Sequence, residues 1–413
     1  MSAAAVLGRP VEKRYYAGTH RTRSPAETLA VVQPLLAGCG ITRVADITGL
    51  DRIGIPVFMA IRPNSRSLAA SQGKGLDRLA AKASAVMEAI ELYQAEHVAR
   101  PIRLQSHAEL SRSLPVADPA ALPGIRGSLF RPHWPIPWIE GVELGSGDPL
   151  WVPYELVHAD TTVPPMPGSG CFDRGTNGLA SGNTLAEAVL HGLCEVIERD
   201  ALALWEHQPE DVRDRRRLAL DAVGAAAVTG LVRKFAEAGV HAVVWDVTSD
   251  VGVAAYRTVI FDATTDPLLN PVGAAFGAGC HPDPVVALVR SLTEAAQSRL
   301  TAIAGSRDDL KAGYYGPEQA ARALERYRRL ADAAPPGARF EEAESLATPT
   351  AEGDVAVVLS RLRDAGLTVA VAVDLSEPGC GVHVVRVVVP GLEGPTESPV
   401  YRAGARVRAL AGR

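Results

Sequence analysis

Ser181-Gly-Asn183-Thr-Leu-Ala-Glu187 opens a stretch that continues through Glu195-Val-Ile-Glu198-Arg199. An earlier stretch, Ser84-Ala-Val-Met-Glu88-Ala-Ile-Glu91, repeats its main feature, glutamates set inside an apolar helical pattern. At about 100° per residue Glu88 and Glu91 share one helix face, and Glu187, Glu195 and Glu198 fall within a sector of roughly 80°. Their neighbours are mostly Ala, Val, Leu, Ile and Met. Burying these carboxylates is costly unless cations compensate them, and the one arginine in the stretch, Arg199, cannot neutralise them all. Magnesium takes oxygen ligands and usually shares them with nucleotide phosphates, so the pattern predicts an ATP site with Mg²⁺ held by glutamates.

A chain of 413 residues exceeds the usual single-core limit and predicts one large composite α/β unit or two to three closely packed lobes. Hydrophobic residues make up 47% and charged residues 22%, ordinary values for a globular protein. The formal charge of −5 comes with no basic run or stripe, which excludes a general nucleic-acid binder. Apolar runs such as Val369 to Val373 are strand-length, and the first residues lack a signal peptide's charged start. The expectation is therefore a cytoplasmic protein with no membrane segment. Cys39, Cys171, Cys194, Cys280 and Cys380 form no C-x-x-C pair, which predicts free thiols in a reducing compartment. Cys171 and Cys280 lie in Gly-rich loops, but no His-containing nucleophile motif surrounds either one.

Around the glutamate stretches the chain reads as alternating elements. Ser24, Pro25 and Glu27 predict a helix start with a capping box, the helix running to about Gln33 before Pro34. Strands are expected over 41–47, 55–62 and 68–74, then a helix from about Arg78 to Ala99. A Pro- and Gly-rich excursion over 106–170 contains strand signals at 135–144 and 149–153. A Gly-rich loop, 168–183, feeds the second glutamate helix, which reaches about His207. A helix over 223–238 and strands over 240–247 and 254–262 follow. A second Gly-rich loop, 273–281, leads to a third helix from Pro284 to about Ile303. Residues 305–350 read as polar and partly linker-like. A helix near 360–365, strands over 368–374 and 383–389 and a tail close the chain. No short-period repeat is evident, yet two blocks share one layout: a Gly-containing loop, a long helix and a Glu-x-x-Glu pair on it.

Neither common phosphate loop is present. Gly73-Lys74-Gly75 lacks the upstream Gly and the following Ser/Thr of a P-loop, and no G-x-G-x-x-G joins a strand to a helix. Each glutamate has a structural alternative: a capping box with Thr184 for Glu187, solvated surface for Glu88, Glu91, Glu198 and Glu294, and an i,i+4 pair with Arg199 for Glu195. Their joint recurrence in apolar helices after Gly-rich turns favours a site. His191 and His281 are lone histidines, open to a packing or a proton-transfer role.

These residues resemble the YcaO family, recognised by S-x-x-x-E-x-x-E, then S-x-N-x-x-x-E followed by E-x-x-E-R, then E-x-x-Q near an Arg. Here the motifs read Ser84/Glu88/Glu91, Ser181/Asn183/Glu187 with Glu195/Glu198/Arg199, and Glu294/Gln297/Arg299. The run from Gly18 to Pro25, the stretch from Gly40 to Pro56 and the phrase from Met87 to Glu96 look like the branch that works with a TfuA partner. The resemblance implies a YcaO-like fold, mixed sheets with long helices around a central ATP/Mg site. It divides the chain into an N-terminal α/β segment (1–64), a catalytic domain (65–395) and a tail (396–413).

The implied activity is ATP-dependent modification of a backbone amide in a substrate peptide or protein by a homodimer. The implied product is a thioamide made with a TfuA-like protein and a sulfur donor; an azoline or amidine, or a non-catalytic ATP-binding accessory, are the alternatives. Carried over residue by residue, Glu88, Glu91, Glu195 and Glu198 hold Mg²⁺, and Asn183 and Glu187 contact the nucleotide. Ser84, Arg199, Gln297 and Arg21 contact phosphate or metal-bound water, and Thr28 and Glu294 complete the ATP-binding set. Glu198, Arg199 and Gln297 are the implied catalytic residues. Two departures stand out: Leu92 replaces the Arg of many members, and the terminus Leu410-Ala-Gly-Arg413 lacks the P-x-P-x-P ending of many azoline-forming enzymes.

Overall fold

Side-chain-free residues at three strand ends set the architecture. The computed structural model describes residues 6–16, 18–263, 272–307, 317–332, 340 and 343–411. In chain order these give β1 (Arg14–Tyr16), β2 (Thr19–Arg21), α1 (Pro25–Val32), β3 (Arg43–Asp46), β4 (Val57–Ile61), β5 (Ala70–Lys74) and α2 (Arg78–Glu96). There follow β6 (Ile102–Ser106), β7 (Pro135–Glu143), β8 (Pro149–Pro153), β9 (Leu179–Gly182) and α3 (Leu185–Glu206). The remainder includes α4 (Ala226–Glu237), β10 (Val240–Asp246), β11 (Ala255–Asp262), β12 (Ala274–Cys280) and α5 (Pro284–Ala304). Last come α6 (Pro317–Asp332), α7 (Ala351–Asp364), β13 (Val371–Asp374), β14 (His383–Val388) and α8 (Ala405–Ala411).

The strands form three main sheets: β3-β4-β5, β10-β11-β12, and β6-β7-β13-β14-β9 with β8 alongside β7. Every ladder between these strands is antiparallel. Each sheet ends on an edge strand, β5, β9 or β12, that turns directly into a long helix, α2, α3 or α5. The turn is made by a residue whose side chain caps the helix: Asp77 accepts from the Ala80 N–H, Thr184 from Glu187, and Asp283 from Val285 and Val286. Such caps satisfy amide groups the first turn leaves free.

The helix then lies back on its own strand at backbone contact. A Cβ on Gly73 would sit 1.9 Å from the Ala85 nitrogen, one on Gly182 2.5 Å from the Ala188 nitrogen, and one on Gly277 2.2 Å from the Ser291 oxygen. Small helix residues face these glycines in all three units: Ala81 and Ala85 over Gly73, Ala188 over Gly182, and Ser291 and Ala295 over Gly277.

The units also touch in a ring. Strand β5 packs on α5, β9 on α2 and β12 on α3, so each edge strand lies against its own helix and that of one neighbour. The two blocks legible in the sequence are thus three. Glu88, Glu195 and Glu294 each stand eleven residues after their cap (77 to 88, 184 to 195, 283 to 294), and Glu91, Glu198 and Gln297 fourteen after it.

Several sequence expectations are corrected. Residues 274–280, expected as a loop for their glycines, are strand β12, and the end of the 168–183 loop is strand β9. Glycine is needed there for the approach of a helix, not for a turn. Helix α2 stops at Glu96, three residues short of expectation, β6 is an additional strand, and α7 begins at Ala351, well before 360. Within 305–350 the chain forms α6; residues 308–316, 333–339 and 341–342 of that expected linker lie outside the described residues. The capping box at Ser24 and Glu27 is present in both directions. The sheet β3-β4-β5 crosses residue 64, and no described helix is long and apolar enough to cross a membrane.

Gly73→Ala is expected to lower stability by about 1–3 kcal/mol or more, because the new methyl meets backbone that cannot rotate away. Chemical denaturation of wild type and variant side by side measures it; an unchanged midpoint contradicts the close packing of β5 on α2.

Candidate active site

The ring of three units turns the glutamates of α2, α3 and α5 toward one another. Glu88, Glu91, Glu195, Glu198 and Glu294 are half-buried, neither solvated surface nor sealed core, as befits groups lining a cleft. Burial raises Glu88 to about 7, with Lys74 and the Gln72 N–H opposing it, and raises Glu195 to about 7 against Arg199 and Arg386. Burial, and then the charge of Glu294, push Glu198 up to about 8. Glu91 is driven well above the usual carboxylate range by burial and by Glu195 and Glu88, although the Ser181 hydroxyl bonds to it. Glu294 goes the other way: burial would raise it, but Lys74, Arg199 and the Ala278 N–H together hold it below the usual range.

More cations surround the cluster than its own helices carry in sequence, yet their donors are committed. Lys74 Nζ bonds Glu294 Oε2 at 2.6 Å, and Arg199 Nη1 bonds Glu397 Oε1 at 3.0 Å. Arg386, on β14, donates to the carbonyls of Val157, Asn177 and Gly175 at 2.8–3.1 Å. Its burial lowers it to about 10 even with Glu195 and Glu91 nearby. Lys74, Arg290 and Arg386 are the site residues that the motifs missed. In the sequence Lys74 stands out only within an incomplete P-loop, and a buried Arg in an otherwise apolar strand was the available signal for Arg386.

A second group gathers at the N-terminus of α3. Glu187 Oε2 accepts from the Asn183 N–H at 2.9 Å and Nδ2 at 3.1 Å, and Glu187 Oε1 accepts from the Thr22 hydroxyl at 2.7 Å. Asn183 Oδ1 accepts from the Thr28 hydroxyl at 2.8 Å, and Arg21 Nε lies 4.0 Å from Glu187. So Arg21, Thr28, Asn183 and Glu187 come together. The Thr184 cap on Glu187 is real, but the Glu187 side chain turns to Asn183 and Thr22 rather than back to Thr184. Gln297 donates to the Gln72 carbonyl at 2.9 Å, and Ser84 lies where α2 presses on Gly73. Arg299, by contrast, faces away to Asp51 and Asp262 at 2.9 and 2.8 Å.

Burial lowers His191 and His281 well below the usual imidazole value, with Arg290 the leading charge on each. Both are neutral. The five cysteines are free and buried, Cys171 pushed by burial to about 11 and Cys280 raised well above the usual thiol value by burial. Neither Cys171 nor Cys280 is thereby a nucleophilic thiolate. A separate cavity of about 340 Å³, lined by Ala201, Asp250 and Arg406 among others, contains none of the clustered glutamates.

The donor set suits Mg²⁺. It offers oxygen ligands only, and four carboxylates sit in two pairs that burial keeps near neutrality for want of cations. Among the described residues no group of three or more His, Cys, Asp or Glu is placed to hold a metal ion unaided, in keeping with an ion that shares its ligands with phosphates.

Fold and site thus define an enzyme class built on a carboxylate-lined nucleotide cleft. Residues 72–393 match the family described as "YcaO cyclodehydratase, ATP- and Mg2+-binding", and the chain belongs to the YcaO family, whose members bind ATP and Mg²⁺. It is 38% identical to the "Uncharacterized protein in tfuA 3'region" of Rhizobium leguminosarum bv. trifolii, over 94% of this chain and 91% of that one. An uncharacterized protein of Methanothermobacter thermautotrophicus is 39% identical over 93% and 97%. The first likeness supports the TfuA-associated branch. Among solved structures, YcaO from Methanopyrus kandleri bound with AMPPCP and Mg²⁺ superposes with a TM-score of 0.74 at 25% identity, covering 96% of this chain and 99% of that one. A heterocyclase in complex with substrate and cofactor shares the fold, with a TM-score of 0.75 at 23% identity, covering 94% of this chain and 55% of that one.

The pH dependence follows from the raised carboxylates. Unfolded, they lose their protons near the ordinary value of about 4.3; folded, Glu88 and Glu195 keep them to about 7 and Glu198 to about 8. Between those limits the folded state binds more protons, so the stability from these groups is full at low pH and is lost as pH rises through 7 to 8. Calorimetric melting of the protein in chelator should show this decline over neutral pH, with a shallower slope in Glu198→Gln. An identical slope in the variant contradicts the burial of Glu198.

Proposed function

We propose that the protein uses ATP to activate a backbone amide of a ribosomally made peptide or a protein, and that sulfide from a donor, delivered with a TfuA-type partner, converts it to a thioamide. Sulfide adds to the amide carbonyl and the oxyanion takes the terminal phosphoryl group of ATP. Loss of phosphate, carrying the former amide oxygen and the sulfide's proton, leaves C=S. The observation that carries this reading is the set of half-buried, under-compensated glutamate pairs on α2 and α3, with the Arg21–Thr28–Asn183–Glu187 group at the start of α3.

Glu88, Glu91, Glu195 and Glu198 would hold Mg²⁺, which supplies charge neutralisation for the phosphates. Asn183 and Glu187, already oriented by Thr28 and Thr22, position the nucleotide. Ser84, Gln297, Arg21 and Arg199 stand to contact phosphate, and the Arg199 guanidinium offsets charge that grows as the phosphoryl group moves. Glu294, fixed as an anion, orients Lys74. Support for the thioamide product comes from the similar protein whose name places it in a tfuA 3' region. The family description favours a second reading, azoline formation by a Cys, Ser or Thr side chain of the substrate.

Co-expression with the peptide and the TfuA-type protein encoded nearby, followed by mass spectrometry, separates the readings. Exchange of one oxygen for sulfur is expected, whereas loss of water from the peptide indicates the azoline. Phosphate release should rise with that peptide and fall by ~10²-fold or more in Glu198→Gln. Nucleotide binding without peptide-linked turnover would leave only a non-catalytic accessory.

A further inference from the structure

The three units differ in charge at one equivalent position. Three residues before each cap, the strand residue reaches the helix of a neighbouring unit: Ser181 bonds Glu91, Cys280 meets Cys194, and the Lys74 ammonium bonds Glu294 at 2.6 Å. Only Lys74 brings a charge. The helix it reaches is also the only one of the three to carry a glutamine, Gln297, where the others carry a second glutamate, and the neutral Gln297 amide donates to the Gln72 carbonyl. The third unit therefore has one anion on its Glu-x-x-Gln pair, and that anion already has a partner. The first two units have two carboxylates each, none with an ion pair of its own among the described residues.

We propose that Lys74 is the resident cation of the third unit, doing for Glu294 what divalent metal does for the glutamate pairs of α2 and α3, and so confining Mg²⁺ to those two helices. Arginine in its place keeps the charge; a neutral residue opens Glu294 to metal. The inference rests on the nucleotide-site reading above and adds a residue that acts differently from the others, since Lys74 decides where metal does not bind. It also accounts for a lysine between two glycines that forms no phosphate loop. The side chain must cross from β5 to α5, and β5 lies close enough because Gly73 and Gly75 leave no bulk beside the helices.

The test is calorimetric titration of nucleotide-free protein with MnCl₂ and with MgCl₂, for wild type, Lys74→Met, Lys74→Arg and the doubly neutral Lys74→Met/Glu294→Gln. Lys74→Met should bind metal about tenfold more tightly, or at an additional site, because a cation has left a low-dielectric cluster of carboxylates. Lys74→Arg and the double variant should stay close to wild type. Unchanged metal binding in Lys74→Met, or an arginine variant that behaves like the methionine one, overturns the proposal. The double variant removes charge and partner together, so it keeps the comparison decisive if Lys74→Met alone folds poorly: a gain in metal affinity there also overturns the role of Glu294. A wild-type titration with Mg²⁺ and AMPPCP separates the two readings. No uptake defeats the nucleotide site itself, whereas uptake with an indifferent Lys74→Met defeats only the assignment of Lys74.

Discussion

Contact between helix backbone and strand glycine is the constraint on which this site depends. In α2, α3 and α5 the first turn is pinned by a cap and the second and third turns rest directly on the edge strand. With both rotation and height set, the positions eleven and fourteen residues beyond the cap have no freedom about where they point. Loops carrying the same glutamates would place them less sharply, because a loop has no ladder of hydrogen bonds to hold its register. The ring of strand-to-neighbour contacts then brings the three helices to a common centre.

Electrostatics explains why that centre tolerates so much acid. Protonation near neutral pH removes part of the cost from Glu88, Glu91, Glu195 and Glu198, and Lys74 removes it from Glu294. Arg386 is spent on carbonyls and Arg199 is turned to the tail, so toward the glutamates they lend field rather than direct bonds. Such a cleft is poised for a ligand that arrives with its own positive charge and its own oxygen atoms. Bound to the folded form alone, that ligand also stabilises it by mass action.

The long helices and their approximate starts were legible in the sequence because they depend on local rules: apolar spacing with glutamates set inside it, and a cap at Thr184, the caps at Asp77 and Asp283 coming from the structure. The edge strands were not. Gly273 to Gly279 has the composition of a loop, and it is the following helix, lying back on it at backbone contact, together with the ladder to β11, that makes 274–280 a strand. Lys74 was hidden because its partner Glu294 is 220 residues away, and nothing local announces the pairing. Arg21, Thr28, Asn183 and Glu187 come together in the structure, whereas Arg299 of the third motif serves an ion network with Asp51 and Asp262.

The tail is tied to the same helix as the site. Asp200, next to Arg199, accepts from the Glu393 N–H at 3.0 Å and from Arg406 Nε at 2.9 Å, and Glu393 in turn accepts from Tyr401, Gly404 and Val407 at 2.6–3.0 Å. This buried knot delivers Glu397 to Arg199, but the Glu397 side chain itself is 61% exposed. An exposed pair of this kind contributes little, about 0–1 kcal/mol. Arg199 is therefore oriented by the tail without being consumed by it, and a phosphate oxygen, which accepts the same guanidinium donors, can displace Glu397 at small cost. The segment from Glu393 to Arg406 thus acts on the site through an internal carboxylate, Glu397, and the helix that carries Glu195 and Glu198.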